Sequence, residues 1–163
     1  MSNRAKLSQH TGILLERARR FGISDEALLA CIATGETAPL QVAVAQYYSY
    51  DEFISYAHIH KERLEDAVRF GYQMKFNTPG GVQQWLRERF ELEVEVDFKA
   101  FTGRVDQVTL SNEQLRLLSE TLADNWVILE DGIALERERT SSDNSCVAEP
   151  RSLMLIIRSE HKA

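Results

Sequence analysis

Apolar residues recur at helical spacing through residues 3–70 and at alternating spacing in several later stretches, so the chain reads as helical first and sheet-rich afterwards. Leu7, Leu14, Ala18 and Phe21 fall on one stripe and Gly22 supplies a stop, which predicts a helix over 3–21. Ser24 then caps a second helix over 24–34. Asp25 and Glu26 occupy its first turn, where carboxylates favour the positive end of the dipole, while Leu28, Cys31 and Ile32 form its apolar face. A short helix over 40–48 is expected after Pro39. Ser49-Tyr50-Asp51-Glu52 has the S-x-x-E form of a capping box and predicts a bend before a helix over 50–70, continuous or restarted near His60. Phe53, Ile54, Ala57, Leu64, Ala67 and Val68 carry its inward stripe.

The period changes after Gly71. Residues 72–76 alternate like a short strand, and Thr78 with Pro79 opens a helix over 79–90 whose apolar face is Val82, Trp85, Leu86 and Phe90. From 91 to 98, Leu92, Val94, Val96 and Phe98 alternate with Glu91, Glu93, Glu95 and Asp97. That pattern predicts a strand with the apolar set buried and the acids in water. Ser111 and Gln114 form a second capping box, of a helix over 111–124 with Leu115, Leu118 and Leu122 on one side. Runs at 126–129 and 133–137 flank Asp131-Gly132, a dipeptide that favours a tight hairpin turn. Residues 140–150 are linker-like, and the apolar run 153–157 suits a strand buried on both faces.

The expected fold is therefore α+β, a helical N-terminal half packed on a mixed or antiparallel sheet of about five strands in the C-terminal half. A helical region, 1–71, and an α/β region, 72–163, are expected to share one compact domain, with the helices over 79–90 and 111–124 covering one face of the sheet.

Composition narrows the function classes. Of 163 residues 44% are hydrophobic and 27% charged, a globular balance, and no window offers the ~18 consecutive apolar residues of a membrane span. With no apolar signal core after Met1, a cytoplasmic location without a membrane partner is expected. Cys31 and Cys146 sit in unlike contexts and suggest neither a disulfide framework nor a zinc set; Cys31 reads as a small buried hydrophobe, Cys146 as a loop thiol. The net charge of −6 is unevenly spread: residues 1–90 carry 11 basic and 10 acidic side chains, residues 91–163 carry 8 and 15. Any surface for nucleic acid must then lie in the first half.

Candidate chemistry is sparse. His58 and His60 form an H-x-H pair, but helical geometry points them apart, and with Glu62 and Glu65 they lack metal-ligand spacing. The row Glu91, Glu93, Glu95 and Asp97 reads as a solvent-facing edge that Arg137 and Arg139 would pair with on a neighbouring strand. No G-x-S-x-G, P-loop or G-x-G-x-x-G occurs, and no cofactor is expected. Leu110-Ser111, Trp126, Asp131-Gly132 and Leu135-Glu136-Arg137 resemble the opening of the pterin-4a-carbinolamine dehydratases over a short stretch. That family continues into a histidine-rich catalytic segment, whereas here only His161 follows His60, so its activity does not carry over.

By elimination the sequence points to a regulatory or adaptor protein acting through protein contact rather than to an enzyme. Tyr47, Tyr48 and Tyr50 crowd the bend before the capping box, and Arg17, Arg19 and Arg20 could rim such a surface for an acidic partner. The alternative is nucleic-acid binding through Gln83, Gln84, Arg87 and Arg89 on the helix over 79–90, or through the basic first helix. A helix-turn-helix over 24–48 is disfavoured by Pro39 and by the lack of basic residues in 40–48. A homo-oligomer is compatible with the same features.

Overall fold

In the computed structural model, which describes residues 5–45, 48–135 and 151–160, the chain enters through a strand rather than a helix. Strand β1 (Ala5–Leu7) buries Ala5 and Leu7 and exposes Lys6, and it pairs in parallel with β2 (Tyr72–Met74). Helix α1 (Gln9–Arg20) starts only at Ser8, whose hydroxyl accepts from the Thr11 N–H at 3.4 Å. The helix predicted over 3–21 is therefore shorter, because a Ser cap and a strand partner together outcompete the first helical turn. The fold is α+β, and two compact units divide it, residues 1–75 and 76–163.

In the first unit, α1 buries Ile13, Leu14, Leu15 and Ala18. Gly12 lets it approach β2 closely: a Cβ there would lie 3.1 Å from Tyr72 Cε2. Helix α2 (Asp25–Thr34) has its predicted limits, with Ser24 accepting from Ala27 N–H and Gly35 at φ 77° as left-handed stop. The helix expected over 40–48 is instead a 3₁₀ turn at Ala38–Ala43, ended by extended Val44. Pro39 and the β-branched Val42 and Val44 disfavour a longer α-helix there.

The single helix expected over 50–70 is two, α3 (Phe53–Ile59) and α4 (Leu64–Phe70). Ser49 does not form the predicted capping box; its hydroxyl accepts from the Asp51 N–H at 3.3 Å, a turn two residues long. Lys61, at φ 56°, reverses the chain between the helices. This turn sends Glu62 inward, where its carboxylate accepts from the Ser8 N–H at 3.0 Å and from Lys75 Nζ at 2.7 Å.

The second unit opens on α5 (Pro79–Phe90), which matches its predicted limits and is capped by Thr78 on the Gly81 N–H. Five strands follow, β3 (Lys99–Phe101), β4 (Arg104–Leu110), β5 (Trp126–Glu130), β6 (Ile133–Ala134) and β7 (Arg151–Ile157), with helix α6 (Asn112–Thr121) between β4 and β5. All pairings are antiparallel in the order β3-β4-β7-β5-β6. Strand β7 thus lies between β4 and β5, which run parallel to each other and are joined by α6, a split β-α-β arrangement. Val105, Leu155 and Ile128 align across its three central strands and are fully buried. The other face is less covered, since Met154 and Ile156 of β7 are only half-buried, so that strand is not buried on both faces as expected.

Both predicted turn devices of this unit are present. Ser111 and Gln114 close the capping box of α6, and Asp131 and Gly132 take φ 54° and 79° at the β5–β6 turn. Buried Asn77 ties the start of the unit to the α6–β5 turn: its side chain accepts from the Ala123 N–H, and its carbonyl accepts from Asn125 Nδ2 and Trp126 Nε1. The strand predicted over 91–98 is absent. Glu95 takes φ 68°, Val94 and Val96 are 41% and 80% exposed, and only Phe98 of the apolar set is buried. Arg137, Arg139, Cys146 and the linker-like stretch 140–150 lie outside the described residues.

Candidate interaction surface

The last turn of α1 holds Arg17, Arg19 and Arg20, and the structure gives each a different task. Arg17 is buried, at 8% exposure, with its Nε donating to the Ala43 carbonyl at 2.6 Å. Its guanidinium carbon lies 4.5 Å from the Phe21 ring centroid and 4.2 Å from that of Tyr48. A cation stacked on two aromatic rings holds them in fixed relation and covers part of each. Arg17 is therefore a connector rather than the rim charge expected from sequence.

Several apolar side chains of the elements it joins are exposed. Phe21 is 40% exposed, Val42 57% and Val44 42%, and Tyr48 is half-buried. Val42 and Val44 flank Ala43, whose carbonyl accepts the Arg17 hydrogen bond. Tyr48 is fixed by a reciprocal backbone pair with Ala45, at 3.1 and 3.0 Å. Arg20 is exposed, its guanidinium 5.6 Å from the Phe21 centroid, and it supplies the charged border.

Two of the expected residues do not join this surface. Tyr50 is fully buried, donating from its hydroxyl to the Leu14 carbonyl at 2.6 Å and meeting Phe53 edge to face, so it is a core residue. Arg19 turns to Glu16 and Asp25, each at 3.1 Å. Burial opposes its charge, but Glu16 and Asp25 outweigh that and raise its pKa. Tyr47 lies outside the described residues. Phe21, Val42 and Val44 escaped the sequence reading because a longer first helix and a regular third helix would have turned them inward. The signals available were Pro39 and the β-branched Val42 and Val44, which disfavour a regular α-helix there.

The α5 candidates are not gathered in the same way. Gln83, Gln84 and Arg87 share one side of the helix by spacing, whereas Arg89 points elsewhere and lines a hollow of about 830 Å³ with Glu91, Glu113, Arg116 and Glu120. Arg87 Nε is 3.5 Å from a Glu93 carboxylate oxygen. Acids thus border both parts of the candidate nucleic-acid face.

Elsewhere, His58, Glu62 and Glu65 line a cleft of about 340 Å³ with Arg63 and Asp66, yet Arg63 pairs with Asp66 at 3.1 Å and Glu65 with Arg69 at 3.1 Å. His60 turns back to the Tyr56 carbonyl and stacks on its ring. Among the described residues no group of three or more His, Cys, Asp or Glu side chains is placed to hold a metal ion. Cys31 is buried, and burial, with a smaller contribution from Glu36, raises its thiol pKa and keeps it protonated. No helix among the described residues is long and apolar enough to cross a membrane. Compared with protein-family models, curated proteins and solved structures, the chain has no significant match, and the short resemblance to the pterin-4a-carbinolamine dehydratases gains no support.

Proposed function

We propose that the protein is a regulatory or adaptor protein that acts by binding another protein through the Phe21, Val42, Val44 and Tyr48 surface of its N-terminal unit. The observation that carries this reading is the double stacking of Arg17 on Phe21 and Tyr48, with Phe21, Val42 and Val44 left exposed and Val42 and Val44 flanking the Ala43 that Arg17 holds. Aromatic, aliphatic and arginine side chains held rigid together lose little conformational entropy on contact, and arginine and tyrosine are enriched at binding hot spots. Ile59 and Phe70 are also exposed, but each ends a short helix, where a single apolar side chain is ordinary. Capture of partners from the native cell by the tagged chain tests the reading. Tyr48→Ala and Val42→Asp should each weaken capture by more than ~1 kcal/mol while leaving the melting temperature in place. Retained capture by both variants would refute the surface.

Nucleic-acid binding through Gln83, Gln84, Arg87 and Arg89 is the second reading, supported by the three exposed side chains Gln84, Arg87 and Arg89. It would declare itself as salt-sensitive binding to generic DNA that is lost on replacing Arg87 and Arg89.

A further inference from the structure

The turn before α3 and the first half of α1 line a cavity of about 280 Å³ within the first unit. Its apolar lining comes from Leu14 and Phe53, both buried, and from Tyr56, which is 37% exposed. Its polar lining includes the exposed His10, Asp51 and Glu52. Core contacts hold these walls in place. The Tyr50 hydroxyl donates to the Leu14 carbonyl at 2.6 Å, the Tyr50 ring meets Phe53 edge to face, and Tyr56 stacks on His60 with ring centroids 4.0 Å apart. Asp51 is set in its turn by the bond from its N–H to the Ser49 hydroxyl at 3.3 Å. The pocket is thus formed before any ligand arrives, and its volume, at the lower end of the ~300–1,000 Å³ of common ligand sites, limits the occupant to a small molecule.

The fold makes no use of either carboxylate. Among the described residues no lysine or arginine pairs with Asp51 or Glu52, and none lines the cavity. Glu52, at the N-terminal boundary of α3, makes no side-chain bond to that helix. Carboxylates accept hydrogen bonds and pair most strongly with charged donors, so this lining selects a cation that carries N–H groups. A metal ion does not fit: no group of three or more His, Cys, Asp or Glu side chains among the described residues is placed to hold one, and Leu14 and Phe53 offer it no oxygen in exchange for its water. An ammonium group on a hydrocarbon body meets both halves of the lining, and aromatic surface attracts the cation as well as the body. We propose that this cavity binds a small organic amine in its ammonium form, which donates to Asp51 and Glu52 while its alkyl or aryl body packs on Leu14, Phe53 and Tyr56. The site shares no residue with the Phe21, Val42, Val44 and Tyr48 surface and stands independently of the protein-binding reading.

Titration of the isotope-labelled full chain with benzylamine, followed by NMR, tests this. Benzylamine should saturate with a Kd of about 1 mM or tighter, and benzyl alcohol, its neutral counterpart, should bind at least about tenfold more weakly. The backbone amide signals that move should be those of residues 10–14 and 51–56, around the cavity. Asp51→Asn combined with Glu52→Gln keeps the size of both exposed side chains and should keep the melting temperature, yet it should weaken benzylamine by about tenfold or more. Absence of saturation by either benzylamine or isopentylamine up to roughly 10 mM overturns the proposal. So do equal affinities for benzylamine and benzyl alcohol, signal changes confined to other residues, and benzylamine binding that the double substitution leaves unchanged.

Discussion

The two units organise their interiors by different means. In the second, seven-residue strands β4 and β7 carry an apolar ladder, and among the described residues Glu88 is its one buried charged side chain. In the first, the strands have three residues and α3 and α4 seven each, and Glu16, Arg17 and Glu62 are all buried. Elements that short cannot bury enough apolar surface to fix one another, so charged side chains reaching backbone groups complete the unit. Glu62 holds the start of α1 and the end of β2, Tyr72 donates to Glu16 at 2.8 Å, and Arg17 holds the 3₁₀ turn. Phe21, Val42 and Val44 are left exposed in this unit, and they form the proposed surface.

The largest effect should come from the ladder. Leu155→Ala, at the centre of β7, should destabilise by about 2–5 kcal/mol, read from chemical denaturation, because a cavity opens between aligned Val105 and Ile128. Glu62→Ala should cost the first unit roughly 2 kcal/mol by the same measurement, since it leaves the Ser8 N–H and Lys75 without a charged acceptor. If Glu62→Ala proves neutral, the contrast between the units fails.

A smaller effect separates them by pH. Arg151 grips Glu130 by two hydrogen bonds of 2.9 and 2.6 Å, which outweigh the opposing effect of burial and hold the carboxyl below the ordinary range. With the folded-state pKa below the unfolded value of ~4.3, this stabilisation is present above that value and is lost as pH falls through the folded one. Arg151→Gln should therefore lower stability at neutral pH and flatten its acid dependence, measured as melting temperature against pH. The smallest effect is expected from Val42→Asp, whose exposed side chain should change stability by no more than ~0.5 kcal/mol.

How much of this was legible follows from where local signals were unopposed. Helices α2, α5 and α6 were found at or near their ends because Ser24, Thr78 and Ser111 act on backbone within three residues. The turn at Asp131-Gly132 was legible for the same reason. Strand β4 was not anticipated, since a bulge at Asp106 and Gln107, the latter at φ 59°, puts its inward residues Val105 and Val108 three positions apart and hides the alternation. Residues 91–98 failed in the opposite sense: perfect alternation is no strand without a partner edge, and Glu95 turns the chain back first. At the proposed surface, Arg20 and Tyr48 are among the residues named from sequence, Arg17 is buried where a rim charge was expected, and the exposure of Phe21 and Val42 depended on helix ends set by tertiary contacts.

The most direct test places a photo-crosslinking amino acid at position 42, in the surface, and in a second chain at position 133, an exposed apolar site of the other unit. Crosslinked in the native cell, position 42 should yield a discrete protein adduct that disappears on adding Tyr48→Ala, while position 133 yields none of that adduct. The same adduct from both positions, or none from position 42, would contradict the account.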